Sequence, residues 1–263
     1  MAGAAPGDGR VIEQRLPVIA RWVLYAVGAA EGARRHPVDP VAAWLLRRHP
    51  SLLPSMSQAA MLSTLRARTD LIDRMLYDEA DRARRTGDVL GVWSFGSGFD
   101  ARWARLWPAV DDVVREWREI DTGDLLELKN RLLMQSPYAG EWTRVARRSV
   151  ADEGWTVRHR SPTVPIVVCE AGHGRIEEDL LRAFLSRVRF EAPESRVLLG
   201  LPTVSDTDTT WNRRSLASLG WRADEDVQIG TRGRLLAKDG SERCPGMYGF
   251  RVVRLVAREP RQR

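Results

Sequence analysis

Apolar and polar positions along this chain fall into two regimes. Over the first part, apolar residues recur at helical spacing. Residues 11–33 carry such a stripe, with Trp22 and Tyr25 in it. The run Arg34-Arg35-His36-Pro37-Val38-Asp39-Pro40 interrupts it, because neither proline can continue a helix. Pro40 is suited to open the next helix, so the pattern predicts one over 41–48, stopped by His49-Pro50. Further helices are expected from Ser57 onward and, separately, over 65–85. No strand is expected before residue 88.

The period then changes. Val89-Leu90-Gly91-Val92-Trp93-Ser94-Phe95 is a short apolar run of the kind that forms a parallel strand buried on both faces. Similar runs follow at 113–120, 166–169, 196–201, 226–229 and 250–257. Helical patterns separate them at 101–106, 125–133, 177–190 and around 211–219. Strands alternating with helices predict βαβ units, hence an α/β fold with a mostly parallel sheet. The chain carries no internal repeat and no low-complexity linker.

Composition narrows the picture. With 263 residues, 43% of them hydrophobic and 29% charged, the chain can bury a real core. Its net charge of +6 raises nucleic acid as a partner. The basic residues are nearly all Arg, with Lys only at 129 and 238, and they are interspersed with acids rather than gathered in one block. That spread argues against nucleic acid, and a small anionic substrate suits the surplus charge as well. Cys169 and Cys244 sit in no CxxC or Cys/His spacing, so no metal site is expected. Residues 1–10 do not read as a signal peptide. Residues 16–30 are broken by Pro17, Arg21 and Gly28 and are too short to span a bilayer. The expectation is a cytoplasmic protein with no membrane partner, its oligomeric state left open.

The sharpest local signal is Phe95-Gly96-Ser97-Gly98-Phe99-Asp100. A Gly-x-Gly after a buried strand allows a tight turn and close approach of a ligand to the backbone. The third glycine of a dinucleotide fingerprint is absent, with Ala101-Arg102 following Asp100, and this is read as an argument against a pyrophosphate ligand such as NAD. The next candidate strand ends at Asp121. Its carboxylate is suited to accept from both hydroxyls of a ribose, or to cap the following helix.

These residues resemble a known family. Gly96-Ser97-Gly98-Phe99-Asp100-Ala101-Arg102-Trp103-Ala104-Arg105-Leu106 is similar to the pattern Gly-Ala-Gly-Leu-Asp-Thr-Arg-x-x-Arg-Leu of the leucine carboxyl methyltransferases and their bacterial polyketide O-methyltransferase branch. The family's acidic strand end and later Lys are matched by Glu119-Ile120-Asp121 and Lys129. Its upstream Arg-Thr-x-x-Ile-Asp is matched by Arg68-Thr69-Asp70-Leu71-Ile72-Asp73. Its Glu-Gly strand end is resembled by Cys169-Glu170-Ala171-Gly172. The resemblance runs from about residue 66 to about 202.

The resemblance implies a Rossmann-like class I methyltransferase sheet, mostly parallel with an antiparallel last strand. A helical cap would cover residues 1–87 and the S-adenosylmethionine-binding domain 88–263. It implies S-adenosylmethionine as cofactor and S-adenosylhomocysteine as product. Arg68 would hold the methionine carboxylate, Gly96, Ser97 and Gly98 would let the backbone approach, and Asp121 would bind the ribose. Glu170 would lie near the methionine amino group, and Asp152 is the candidate for adenine. The alternatives are a surface charge for Arg68, a strand-end cap for Glu170, and structural pairing around the turn for Asp100 and Arg102.

The chain departs from the family after Gly172, where His173-Gly174-Arg175 replaces apolar and Tyr residues. His173 is placed to act as general base on a hydroxyl and to line the substrate site, and Arg175 to orient an anion. A carboxylate nucleophile would need no base. Trp22 and Tyr25 are the chief candidates to line the substrate pocket, with Trp44, Met56, Trp211 and the stretch 230–246 behind them. The expected activity is O-methylation of a carboxylate or hydroxyl on a polyketide-like small molecule, in specialised metabolism such as antibiotic biosynthesis. The competing expectations are a cofactor-binding protein that promotes a non-methylating cyclisation, a protein carboxyl methyltransferase, and an RNA-binding or RNA-methylating protein.

Overall fold

A computed structural model describes residues 39–48, 59–149, 163–170, 178–203, 213–229 and 249–257. Helix α1 (Pro40–Arg48) begins where the proline predicts. Asp39 caps it, its Oδ1 accepting the N–H groups of Val41 at 2.9 Å and Ala42 at 2.8 Å. The two helices expected from Ser57 and over 65–85 are one element, α2 (Ala59–Thr86). No Gly or Pro lies between 59 and 86, so nothing in that stretch breaks the ladder. Gly87 ends it in the left-handed region, φ 76°, with its N–H donating to the Ala83 carbonyl.

Strand β1 (Val89–Phe95) follows as expected. Helix α3 (Arg102–Val110) runs past the predicted stop at 106 and through Pro108. Trp107 and Val110 extend its buried face, and that burial offsets the hydrogen bond the proline cannot donate. Then come β2 (Val114–Asp121), α4 (Gly123–Leu133), α5 (Ala139–Thr143), β3 (Ala146–Ser149), β4 (Thr163–Glu170) and α6 (Glu178–Glu191). The chain continues through β5 (Arg196–Thr203), α7 (Arg213–Ser218), β6 (Trp221–Ile229) and β7 (Gly249–Ala257).

The seven strands form one sheet in the order β3-β2-β1-β4-β5-β7-β6. The first five run parallel, and β7 is antiparallel to both β5 and β6. This is the Rossmann-like, mostly parallel sheet with a reversed last strand that the sequence leads one to expect. Strand β3 and helix α5 escaped the sequence reading. Ala146-Arg147-Arg148-Ser149 has no apolar run, because β3 is an edge strand paired on one side only. At the other edge β6 starts at Trp221, well before the expected 226, and its Arg222, Asp224 and Glu225 hide it for the same reason.

Alternation along the strands divides the core in two. Leu90, Val92, Ile166, Val168, Leu198 and Val252 pack with α1 to α4. Trp93, Phe95, Val167, Val197, Leu199 and Val253 pack with α6 and α7. Helices therefore cover both faces, as a parallel sheet requires. Helix α2 is pinned to the sheet by Glu79, 1% exposed, which pairs with Arg196 of β5 and with Arg254 of β7 at 3.2 Å. Strand β1 lies between β2, on the side where the chain turns next, and β4, on the other. A crevice opens beyond the carboxyl ends of the strands at such a reversal, and ligands of open α/β sheets bind there. Among the described residues, no helix is long and apolar enough to cross a membrane.

Candidate functional site

The carboxyl ends of β1, β2 and β4 are level with one another. Phe95 is in register with Ile120 on one side and with Cys169 on the other. The next residue of each strand path is therefore Gly96, Asp121 or Glu170. Gly96 and Gly98 both take positive φ, 65° and 54°, a conformation that costs an L side chain about 1–2 kcal/mol. A Cβ on Gly96 would lie 3.2 Å from the Glu170 carbonyl oxygen, whereas a Cβ on Gly98 would meet nothing within 4 Å among the described residues. Gly96 thus permits close packing on β4, and Gly98 faces space that no described residue fills.

Asp121 holds this turn. Its Oδ2 accepts the Gly98 N–H at 2.8 Å and its Oδ1 accepts the Thr122 N–H at 2.7 Å. The residue at the N-cap position of α4 is Thr122. Asp121 is therefore tied to the glycine turn rather than capping the helix. A carboxylate oxygen has two lone pairs, so both oxygens of Asp121 keep capacity for a further donor.

Beneath the turn lies a buried network of charges. Arg68 on α2 donates from Nη2 to Glu170 Oε2 at 2.8 Å, and Arg102 Nη2 takes Glu170 Oε1. Arg102 also pairs with Asp73 Oδ1 at 2.6 Å and with Asp100 Oδ2 at 2.9 Å. Arg105 joins three carboxylates: Asp73 at 2.6 Å, Asp39 at 2.8 Å, and Asp100. Lys129 donates to both Glu119 oxygens at 2.7 and 2.8 Å and to the Asp100 carbonyl at 2.8 Å, with the Trp142 ring 5.4 Å from its Nζ. A guanidinium fork suits such multiple carboxylate contacts.

Burial works against every charge in this network. It pushes the Asp100 carboxyl up, but Arg102 and Arg105 outweigh it and hold the group below the usual carboxylate range. It also raises Asp39, with Arg105 pulling the other way. Burial pushes Glu119 up to about 7 in spite of Lys129. The Cys169 thiol, buried beside Glu170, is pushed up to about 12 and is no nucleophile at neutral pH.

The sequence motifs thus meet in space. Arg68, Gly96, Ser97, Gly98, Asp121 and Glu170 come from four separate segments and gather around the ends of three strands. Arg68 is 1% exposed, not a surface charge. Asp100 and Arg102 pair around the turn, the structural role weighed for them above. Asp152, His173, Arg175, Trp22 and Tyr25 lie outside the described residues, as do Met56, Trp211 and the stretch 230–246. Trp44 is half-buried on α1, against the core cluster.

Two residues escape the sequence reading. Asp39, fully buried, stands there only within a helix-breaking run, although Asp before Pro is a helix-start signal. Gly200 sits inside β5, where a glycine signals close approach. A Cβ there would touch Arg68 Cδ and Ile72 Cδ1, each at 3.5 Å.

No family model matches this chain, and no curated protein matches it. Solved structures resemble it in fold. The glycopeptide N-methyltransferase MtfA complexed with sinefungin is 17% identical, with a TM-score of 0.41 over 69% of this chain and 86% of that one. The S-adenosylmethionine-dependent methyltransferase SibL in its apo form is 13% identical, with a TM-score of 0.45 over 96% of this chain and 73% of that one. A point variant of LepI in complex with SAH and a substrate analogue is 12% identical, with a TM-score of 0.41 over 65% of this chain and 43% of that one.

Proposed function

We propose that this protein is an S-adenosylmethionine-dependent methyltransferase acting on a small molecule. The observation that carries the reading is the convergence of Arg68, the Gly96–Gly98 turn, Asp121 and Glu170 at the ends of β2, β1 and β4. These are the residues that the sequence resemblance assigns to the cofactor, and nothing in their spacing along the chain requires them to meet. The site also fits the group. Gly98 opens onto space that a side chain would enter, and Ser97 Oγ is buried with no hydrogen-bond partner among the described residues. A buried hydroxyl without a partner is costly, and a polar ligand would satisfy it.

In this reading Asp121 accepts from the ribose hydroxyls while keeping the Gly98 N–H. Arg68 and Glu170 take the charged ends of the methionine moiety, Ser97 supplies a hydroxyl beside it, and Asp152 serves the adenine. The bound cofactor supplies an activated methyl group, so the protein's task is to align the acceptor and exclude water. The acceptor is the carboxylate or hydroxyl oxygen of a polyketide-like small molecule, anionic in keeping with the surplus of Arg. His173 removes the proton from a hydroxyl acceptor and Arg175 orients the anion. Trp22 and Tyr25, in a helical cap over 1–87, line the substrate side of the 88–263 domain. The protein works in the cytoplasm.

The test is calorimetric titration of the purified protein with S-adenosylmethionine and S-adenosylhomocysteine, with Asp121→Ala alongside. Binding by the wild type that Asp121→Ala loses supports the reading. A folded wild-type protein that takes up neither compound overturns it.

A further inference from the structure

Arg144, Arg147 and Arg148 stand together at the open edge of the sheet, and none of them has a carboxylate partner among the described residues. Over residues 139–149 they are accompanied by a single acid, Glu141, which is exposed and pairs with none of them. We propose that this edge is a docking strip for an acidic, extended segment of another protein, which lies beside β3 as a further strand and sets its carboxylates against these arginines. The proposal stands apart from the cofactor reading.

The strand supplies a backbone to pair with. Among the described strands, β3 pairs with β2 alone, from Ala146 against Arg118 to Ser149 against Asp121. Over residues 146–148 its other side carries backbone groups that no described strand takes up. The Arg147 carbonyl accepts Arg148 Nη1 at 3.0 Å, a side-chain contact that the N–H of an added strand can replace. Successive side chains point to opposite faces of a strand, so Arg147 and Arg148 flank the edge on both sides. Arg144 and Arg148 are exposed.

Two of the guanidinium groups are already arranged. Arg144 lies 4.6 Å over the Trp107 ring and Arg147 4.9 Å over the Trp142 ring. Both rings are buried, and the Trp142 indole donates to Asn130 Oδ1 at 3.0 Å. Arg147 also donates from Nη1 to the Trp142 carbonyl at 3.3 Å. A guanidinium held in this way loses little freedom when it takes a carboxylate. The same features choose among partners. Two copies of this edge would set arginine against arginine, which disfavours pairing of the chain with itself. Nucleic acid would bring phosphates but no strand for the open edge, and the buried Trp107 and Trp142 rings offer its bases no face for stacking. An acidic strand meets both the charge and the backbone.

The experiment is fluorescence anisotropy on the full-length protein with a labelled peptide of alternating glutamate and threonine. Wild type is expected to bind it at least about tenfold more tightly than the same peptide with lysine for glutamate, with an affinity that falls as salt rises. Methylating the peptide's backbone N–H groups should weaken binding by about tenfold, since the added strand then donates nothing to the edge. The double variant Arg144→Gln, Arg148→Gln should lose affinity by a similar factor and keep the circular dichroism spectrum of the wild type. If the lysine peptide binds equally well, the strip does not select acidic partners and the proposal is overturned. If the methylated peptide binds like its parent, the acid is held by charge alone and strand addition is wrong. If the double variant keeps full affinity, the peptide sits elsewhere and the assignment to β3 is wrong. If a labelled oligouridylate binds wild type as tightly as the acidic peptide does, the edge is a polyanion site and the acidic-strand proposal again fails.

Discussion

Asp39 and Arg105 stand 66 positions apart and meet at 2.8 Å in the interior, with side chains 0% and 1% exposed. The same Asp39 carboxylate caps α1 through Oδ1 and accepts the Ala101 N–H through Oδ2 at 3.1 Å. One side chain therefore fixes a helix start, a guanidinium and the segment that follows the glycine turn. Asp39→Ala is expected to destabilise the protein by about 3 kcal/mol, since it removes a cap and one partner of a buried pair. Asp39→Asn should cost less, about 2 kcal/mol: the amide oxygen can still cap α1, but its NH2 replaces the Oδ2 that accepts from Arg105 and Ala101. Urea denaturation midpoints of the two variants test the difference.

Gly98 separates stability from binding. Alanine there costs about 1 kcal/mol for its positive φ, because no described neighbour lies within 4 Å of the added methyl. The methyl would, however, occupy the space proposed for the cofactor. The expected result is a small shift in melting temperature with a loss of S-adenosylhomocysteine affinity greater than about tenfold, or ~1.4 kcal/mol.

Gly91 should behave in the opposite way. An added Cβ would lie 2.6 Å from the ring of Trp93, which is fully buried. Overpacking of this kind costs about 1–3 kcal/mol. Gly91 lies in the strand body away from the turn, so the folded fraction of Gly91→Ala should keep wild-type affinity in calorimetry.

The pH dependence follows from Glu119 and Asp100. Burial raises Glu119 to about 7 from an ordinary 4.5, so the native state holds a proton that the unfolded chain has lost. Its contribution to stability is therefore greatest below about 4.5 and falls as pH rises through about 7. Asp100 acts with the opposite sign. Arg102 and Arg105 hold its carboxyl low against burial, so its contribution is present above about 4 and is lost on acidification. Denaturation midpoints at pH 5, 6, 7 and 8 should decline for wild type and flatten in Glu119→Gln.

Ion pairs of similar appearance should differ in worth. Glu79 is 1% exposed and serves two arginines on two strands, so Glu79→Ala is expected to cost about 3–5 kcal/mol. Arg251 and Asp226, cross-strand partners on β7 and β6, are 23% and 19% exposed with contacts of 2.6 and 2.8 Å. Asp226→Ala should cost less than about 1 kcal/mol. Guanidinium denaturation of both variants provides the comparison.

Strands buried on both faces were legible because each is a continuous apolar run: β1 came out with its own limits, 89–95, and β4 and β5 within a few residues. The edge strands β3 and β6 were hidden or shortened by the charges that keep an open edge from pairing with another chain. Among site residues, Asp121 was visible from its place at a strand end after the glycine turn, and Arg68 and Glu170 through motif resemblance alone. Arg68 stands at helical spacing from Leu65, Ile72 and Met75, so the period of α2 marks its buried face. What the residue string could not show is that Arg68 and Glu170 touch, or that Asp39 reaches Arg105, since contacts at separations of 102 and 66 residues depend on topology.

Strand β7 follows every other described strand in sequence, yet it lies inside the sheet, between β5 and β6. During vectorial synthesis, β5 and β6 leave the ribosome first and must wait with two unmet hydrogen-bonding edges until residues 249–257 arrive. Glu79 waits as well, since Arg254 is one of its two partners. A nascent chain stalled before that point would expose adhesive strand edges in the middle of its fold, which makes it a natural client for chaperones and a poor candidate for productive truncation.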